Sequence, residues 1–183
     1  MHLSQLTFAL NDSVQYGLGD PDICFITSDS RQVRPGTLFV AVTGVSVDGH
    51  HFIARALAQG AAAIVGERAP EDLDARNDDI PYLQVPNSRS ALAWLSAAWH
   101  DFPARKLTVI GVTGTDGKTT TSALIAHILR RAGRKVGLIT TVQAEIGDHV
   151  LDTGLHVTTP DAPDMQRYLA QMVAAGCDVA VLE

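Results

Sequence analysis

Short apolar runs alternate with amphipathic stretches over the first hundred residues. Four runs rich in aliphatic and β-branched side chains predict strands, at residues 23–27, 37–42, 61–65 and 82–85. Apolar positions three and four apart predict helices over residues 51–59 and 88–100, the first ended by Gly60 and the second capped by Asn87. Strands that alternate with helices are typical of an α/β domain.

A second α/β segment follows a break near Pro103, whose charged neighbours mark a domain boundary. We therefore predict two domains, residues 1–103 and 104–183. The second is expected to contain strands at 107–112, 136–139 and 178–183, helices at 118–132 and 161–175, and a hairpin over 144–151 that turns at Gly147 and Asp148. Three parallel strands make only a small open sheet, so we expect the chain to be the front part of a longer protein; a small complete domain is the alternative.

Composition and charge exclude several classes of protein. Hydrophobic residues make up 46% of the chain, which supports a packed core and excludes a wholly disordered chain. The chain has 14 basic and 20 acidic residues, whereas a nucleic-acid-binding protein needs a basic face for phosphate backbones. No long apolar run and no signal peptide are visible, so we expect a cytoplasmic protein without membrane insertion. Cys24 and Cys177 have no metal-ligand spacing, and we expect both to be buried thiols.

The candidate chemistry centres on residues 113–121, which read Thr-Gly-Thr-Asp-Gly-Lys-Thr-Thr-Thr between a predicted strand and a predicted helix. Gly114 and Gly117 let backbone N–H groups approach phosphate oxygens, and the helix N-terminus adds unpaired donors. Lys118 can reach the terminal phosphates, and the Thr119 hydroxyl can ligate Mg²⁺. The commonest phosphate loop has a glycine where this chain has Val112, so the loop is a variant. We predict that it binds ATP with Mg²⁺.

Residues 111–121 resemble the ATP loop of the Mur ligases, the ATP-dependent amide-forming enzymes of peptidoglycan synthesis. Other stretches resemble the member that adds the third residue of the stem peptide: Asp-Ser-Arg at 29–31, Pro-Gly-Thr-Leu-Phe-Val-Ala at 35–41, Gly44, Asp-Gly-His at 48–50, Thr-Thr-Pro at 158–160 and Val-Ala-Val-Leu-Glu at 179–183. The resemblance implies an α/β UDP-MurNAc-binding domain followed by the first part of a P-loop ATPase domain with a parallel sheet.

The resemblance also implies roles for individual residues. ATP would contact seven consecutive loop residues: Gly114, Thr115, Asp116, Gly117, Lys118, Thr119 and Thr120. Thr119 and Glu183 would hold magnesium, and Lys118 would be catalytic. The UDP-sugar substrate would contact Ser28, Ser30, Val45, Ser46, Val47, Thr158 and Thr159. Asp116 departs from the family, which most often has Asn there. Purely structural roles remain the alternatives for these residues. Glu183 could be a solvated terminal residue, Ser28 and Ser30 could cap a turn, and Thr158 and Thr159 could cap a helix.

The activity implied by the resemblance is the ATP-dependent addition of a diamino acid, diaminopimelate or lysine, to UDP-MurNAc-L-Ala-D-Glu through an acyl phosphate. We expect this chain to be a monomer and to be inactive alone, since the parts of the family that position the amino acid are absent from it. A UDP-sugar-binding module or a nonfunctional fragment without ligase activity is the alternative. A second alternative is another Mur ligase that adds a different amino acid.

Overall fold

The first 99 residues build a five-stranded sheet with helices around it. The computed structural model describes residues 1–44, 47–75, 77–147, 149–152 and 160–183, and it divides into two compact units, Met1–Trp99 and His100–Glu183. The elements of the first unit are α1 (Leu3–Thr7), β1 (Val14–Tyr16), β2 (Phe25–Thr27), β3 (Thr37–Val40), a 3₁₀ turn (Gly49–Phe52), α2 (Ile53–Ala58), β4 (Ala61–Gly66), a second 3₁₀ turn (Pro70–Asp72), β5 (Tyr82–Gln84) and α3 (Ser88–Trp99).

The sheet of this unit has the strand order β1-β5-β4-β3-β2, in which only the β1–β5 pair is antiparallel. All four residues of β3 are buried, although neighbouring side chains in a strand point to opposite faces, so both faces of the sheet are covered. The side chain of Phe39 packs in a cluster with Ile53 and Ala56 of α2. This three-layer arrangement is what the alternating sequence pattern predicts.

The second unit also has a five-stranded sheet, with the order β6-β10-β7-β8-β9. After a 3₁₀ turn (Pro103–Lys106) come β6 (Thr108–Gly111), α4 (Lys118–Arg131), β7 (Val136–Ile139), β8 (Gln143–Ile146), β9 (His149–Asp152), α5 (Ala162–Ala174) and β10 (Val179–Leu182). The strands β6, β10 and β7 are parallel, and β8 and β9 form the predicted hairpin.

Alternate residues of β10 supply two separate parts of the core of this unit. Val179 and Val181 belong to the cluster that includes Ala126 of α4, whereas Ala180 belongs to the cluster with Met172 of α5. Helices therefore cover both faces of β10, whereas three of the four residues of β6 are exposed. The parallel strands with their connecting helices confirm the predicted α/β fold. None of the helices in the described part of the chain is long and apolar enough to cross a membrane.

Three sequence expectations about the first unit need correction. The first unit contains a helix and a strand that were not predicted, the five-residue α1 and the three-residue edge strand β1. The segment predicted as one helix over 51–59 begins as a 3₁₀ turn at Gly49 and becomes α-helical only at Ile53. Cys24 is exposed and not buried, because it precedes the edge strand β2, where its Sγ donates to the Pro35 carbonyl at 3.2 Å; Cys177 is buried as expected.

Candidate active site

The phosphate loop has the predicted context, since it joins the end of β6 at Gly111 to the start of α4 at Lys118. Gly117 caps α4 in the left-handed region, with φ +74° and ψ 3°, a conformation that a β-carbon disfavours. Apart from its chain neighbours and the backbone of α4, no atom of the described residues lies within 4 Å of the place where a Gly117 β-carbon would be, which leaves room for a ligand at the helix N-terminus.

Lys118 lies across this loop. Its Nζ donates hydrogen bonds to the carbonyl oxygens of Gly114 at 2.8 Å and Thr115 at 3.3 Å. These carbonyls hold the ammonium group above the loop, where its charge adds to the partial positive charge of the first turn of α4. Asp116, by contrast, is exposed and sits in the same loop. The loop can therefore bind an anion through the lysine and backbone donors, with one carboxylate nearby that opposes it.

Thr119 and Glu183 are in direct contact. The Thr119 hydroxyl lies 3.0 and 2.9 Å from the two carboxylate oxygens of Glu183. Glu183 follows β10 and is buried, while Thr119 lies in the first turn of α4. The structure thus brings the two predicted metal-binding residues together at the carboxyl end of the parallel strands, the usual ligand edge of such sheets.

Thr141 completes this cluster, and the sequence analysis missed it. Its backbone N–H and hydroxyl donate to the Glu183 carboxylate at 3.2 and 3.0 Å. Burial alone would raise the pKa of Glu183, but the hydrogen bonds from Thr119 and Thr141 and the charge of Lys118 lower it below its ordinary value. Glu183 is therefore ionised at neutral pH. A signal for Thr141 does exist in the sequence, because it follows a strand that ends at the same sheet edge.

The oxygen donors of this cluster fit a magnesium ion. Mg²⁺ prefers carboxylate and hydroxyl oxygens and usually completes its shell with water and substrate phosphates. Within the described ranges no group of three or more His, Cys, Asp or Glu residues could hold a metal on its own. Glu183 and Thr119 could therefore supply only part of a magnesium shell, and water or phosphate oxygens would have to supply the rest.

A second candidate site lies in the first unit. An open pocket of about 480 Å³ is lined by Ser28, Asp29, Ser30, Arg31, Phe52 and Arg55. Ser28 and Ser30, the two predicted UDP-sugar contacts in the loop after β2, are thus brought together. Val47 is exposed and does not line this pocket. Val45, Ser46, Thr158 and Thr159 lie outside the described residues.

A polar network centred on the buried side chain of His50 holds the two ends, Thr43 and Asp48, of the segment that includes the predicted loop 45–47. The Nδ1 atom of His50 lies 2.6 Å from Oδ1 of Asp48, and its Nε2 accepts a hydrogen bond from the Glu67 backbone N–H at 2.9 Å. These partners place the ring proton on Nδ1. Asp48 also pairs with Arg68 at 2.5 Å, and burial, which would raise its pKa, is outweighed by hydrogen bonds from His50 and Arg68 that lower it to about 2.

Glu67 ties the other end of that segment to α3. It accepts hydrogen bonds from the Thr43 hydroxyl at 3.0 Å and from the backbone N–H and hydroxyl of Ser88 at 2.7 Å each. Thr43 and Asp48 also form an isolated antiparallel bridge. Both ends of the segment are therefore fixed to the carboxyl ends of β3 and β4. Neither Glu67 nor Arg68 was predicted from the sequence, because nothing in the local pattern indicates that they contact residues 17 to 24 positions away.

Two family descriptions match this chain: "Mur ligase family, catalytic domain" over residues 22–100 and "Mur ligase middle domain" over residues 112–183. The chain belongs to the Mur ligase family. This confirms the resemblance drawn from the phosphate loop and from the motifs of the first segment.

Individual Mur ligases are similar to this chain over most of its length. The UDP-N-acetylmuramyl-tripeptide synthetase of Deinococcus radiodurans is 47% identical over 165 residues, which are 90% of this chain and 33% of that protein. A solved structure of a UDP-N-acetylmuramoyl-L-alanyl-D-glutamate--2,6-diaminopimelate ligase superposes with a TM-score of 0.68 at 27% identity, covering 87% of this chain and 31% of that one. A MurF ligase from Thermotoga maritima in complex with ADP superposes with a TM-score of 0.50 at 30% identity, covering 86% of this chain and 31% of the MurF chain. The chain thus spans about a third of the length of these Mur ligases.

Proposed function

We propose that this chain supplies the nucleotide loop and the UDP-sugar pocket of a ligase that adds a diamino acid to UDP-MurNAc-L-Ala-D-Glu at the expense of ATP. The observation that carries the proposal is the cluster of Lys118, Thr119 and Glu183 beside the open loop, in a chain whose two segments both match Mur ligase domains. The names of the similar proteins support this substrate, since they describe tripeptide synthesis and diaminopimelate ligation. The domain roles over residues 1–103 and 104–183, the cytoplasmic location and the monomeric state are part of the same proposal.

The described residues have separate tasks in such a reaction. Lys118 and the N-terminal N–H groups of α4 would bind and orient the phosphates, and their charge would offset the charge that develops as a phosphoryl group is transferred. Glu183 and Thr119 would hold Mg²⁺, which neutralises phosphate charge when it is bound. Thr141 would keep the Glu183 carboxylate ionised and oriented. In the first unit, the hydroxyls of Ser28 and Ser30 would bind the UDP-sugar.

Binding of the two ligands to this 183-residue chain tests the proposal. We expect isothermal titration to detect UDP-MurNAc-L-Ala-D-Glu, and nuclear magnetic resonance (NMR) shifts on addition of Mg-ATP to fall on residues 114–120. UDP-glucose and Mg-GTP serve as comparison ligands. If the folded chain shows neither heat nor shifts with the dipeptide substrate at millimolar concentration, the substrate assignment is wrong.

An activity assay separates the ligase from a UDP-sugar-binding module that performs no ligation. We expect no amide formation by the 183-residue chain alone, because it spans about a third of the ligases it resembles. A full-length protein that carries this sequence should release phosphate only when ATP, the dipeptide substrate and a diamino acid are all present. Phosphate release that does not depend on the diamino acid would contradict the ligase. A full-length protein that binds both ligands but releases no phosphate would favour the binding module.

A further inference from the structure

Two further residues line the pocket around Ser28 and Ser30: Phe52, at the end of the first 3₁₀ turn, and Arg55, in α2. Neither residue belongs to the motifs that carry the resemblance. Both are exposed: 37% of Phe52 is accessible, although it is a large apolar side chain. A volume of about 480 Å³ is within the range that small-molecule sites usually have.

The charges in this pocket leave one cation available. Arg31 binds Asp29 with both sides of its guanidinium group, its Nε lying 2.9 Å from Oδ1 and its Nη2 2.8 Å from Oδ2. This pairing holds the pKa of Asp29 below its ordinary value, and the charge of Arg55 contributes a smaller part. Asp29 and Arg31 therefore largely cancel each other. Arg55 is exposed and lines the pocket, and in the described part of the chain its side chain has no hydrogen bond or ion pair, so its five N–H donors are available to a ligand.

These features are complementary to a nucleoside diphosphate. A guanidinium group forms paired, charge-assisted hydrogen bonds with phosphate oxygens, and an exposed aromatic ring provides a surface on which a base can stack. The hydroxyls of Ser28 and Ser30, which line the same pocket, can donate to or accept from ribose or phosphate oxygens. We propose that Arg55 binds the diphosphate and that the Phe52 ring stacks on the base of a uridine nucleotide in this pocket. The inference rests on the proposed function and names two binding residues for it.

A ligand series separates the two roles. NMR titrations of the 183-residue chain with UDP and with uridine would be run for the unchanged protein, Arg55→Gln, Arg55→Lys, Phe52→Leu and Phe52→Tyr. Arg55→Gln should weaken UDP binding by about 10- to 100-fold and leave uridine binding unchanged, because only UDP carries the charge that Arg55 pairs with. Arg55→Lys should restore part of the affinity. Phe52→Leu should weaken both ligands by a similar factor, about 5-fold or more, and Phe52→Tyr should not.

The control is Arg89→Gln, which removes an exposed arginine of α3 outside the pocket and should leave both affinities unchanged. The proposal is overturned if Arg55→Gln leaves UDP binding unchanged or weakens uridine equally, or if Phe52→Leu spares uridine while the protein stays folded. If the unchanged protein binds neither UDP nor UDP-MurNAc-L-Ala-D-Glu, the substrate assignment itself fails. Binding by the unchanged protein with no difference among the variants overturns only the roles of Arg55 and Phe52.

Discussion

Replacement of Asp48 by asparagine should destabilise the first unit, and the loss should depend on pH. The Asp48 carboxylate accepts hydrogen bonds from the backbone and ring of His50 and from Arg68, and these lower its pKa from 3.8 to about 2 although burial opposes the shift. Lowering the pKa from 3.8 to about 2 corresponds to about 2.4 kcal/mol of folding free energy. Because 24% of the Asp48 side chain remains accessible to solvent, we expect Asp48→Asn to cost about 1–2 kcal/mol at neutral pH.

The sign of the pH dependence follows from the lowered pKa. Ionised Asp48 stabilises the folded state at pH values above its unfolded pKa of about 3.8, and this contribution is lost as the pH falls from there towards 2. The free energies of unfolding of the unchanged protein and of Asp48→Asn should therefore differ by about 1–2 kcal/mol at pH 7 and converge near pH 2. At neutral pH the difference corresponds to a fall in Tm of about 4–16 °C for a unit of this size.

Tryptophan fluorescence during urea unfolding measures this unit selectively, because both tryptophans of the chain, Trp94 and Trp99, lie in α3. Asp12→Asn is the matched control, since Asp12 is an exposed aspartate of the same unit. If Asp48→Asn and Asp12→Asn change the unfolding free energy equally, or if the effect of Asp48→Asn does not shrink at low pH, the network contributes nothing through the charge of Asp48.

Two further predictions concern the nucleotide loop and the packing around His50. In ligation assays of a full-length protein, Lys118→Ala should lower kcat by about 10²–10³-fold, and Lys118→Arg should not restore it. Asp116→Asn should keep or improve the affinity for ATP, because it removes a negative charge near the phosphates. Near-normal turnover of a folded Lys118→Ala protein would refute the ATP assignment. Gly66→Ala should lower the unfolding free energy by about 1–3 kcal/mol, because a β-carbon there would lie 2.5 Å from the Tyr82 hydroxyl and 2.7 Å from Nε2 of His50; unchanged urea unfolding would contradict that packing.

Local sequence signals found the elements that have strong periodicity or distinctive turn chemistry. The strand at Val136–Ile139 has the predicted bounds, α4 ends one residue earlier than expected, and the side chain of Asn87 does cap α3 by accepting from the Ser90 N–H at 2.7 Å. The missed strand β1 is only three residues long, and two of the three are exposed. Its position depends on pairing with β5, about 68 residues later, and such a partner leaves no signal in the local pattern.

The candidate sites divide in the same way. The loop from Gly114 to Thr120 is readable because its residues are consecutive and its chemistry is distinctive. Arg55 carried no such signal, because its relation to Ser30 exists only after α2 has packed against the sheet. Glu67 and Arg68 likewise acquire their roles from strand β4, whose carboxyl end lies beside that of β3.

Strand register explains why Glu183 and Thr141 meet the phosphate loop. In the parallel pairs Leu182 of β10 lies opposite Gly111 of β6 on one side and Ile139 of β7 on the other. The residues that follow therefore emerge together at one edge: the start of the loop, Glu183, and the turn that contains Thr141. Glu183 is held there by its backbone N–H, which donates to the Ile139 carbonyl at 2.9 Å. If β10 slipped by one residue, the Glu183 carboxylate would turn to the opposite face of the sheet, away from Thr119. The site therefore depends on the pairing of the strands as much as on the identity of its residues.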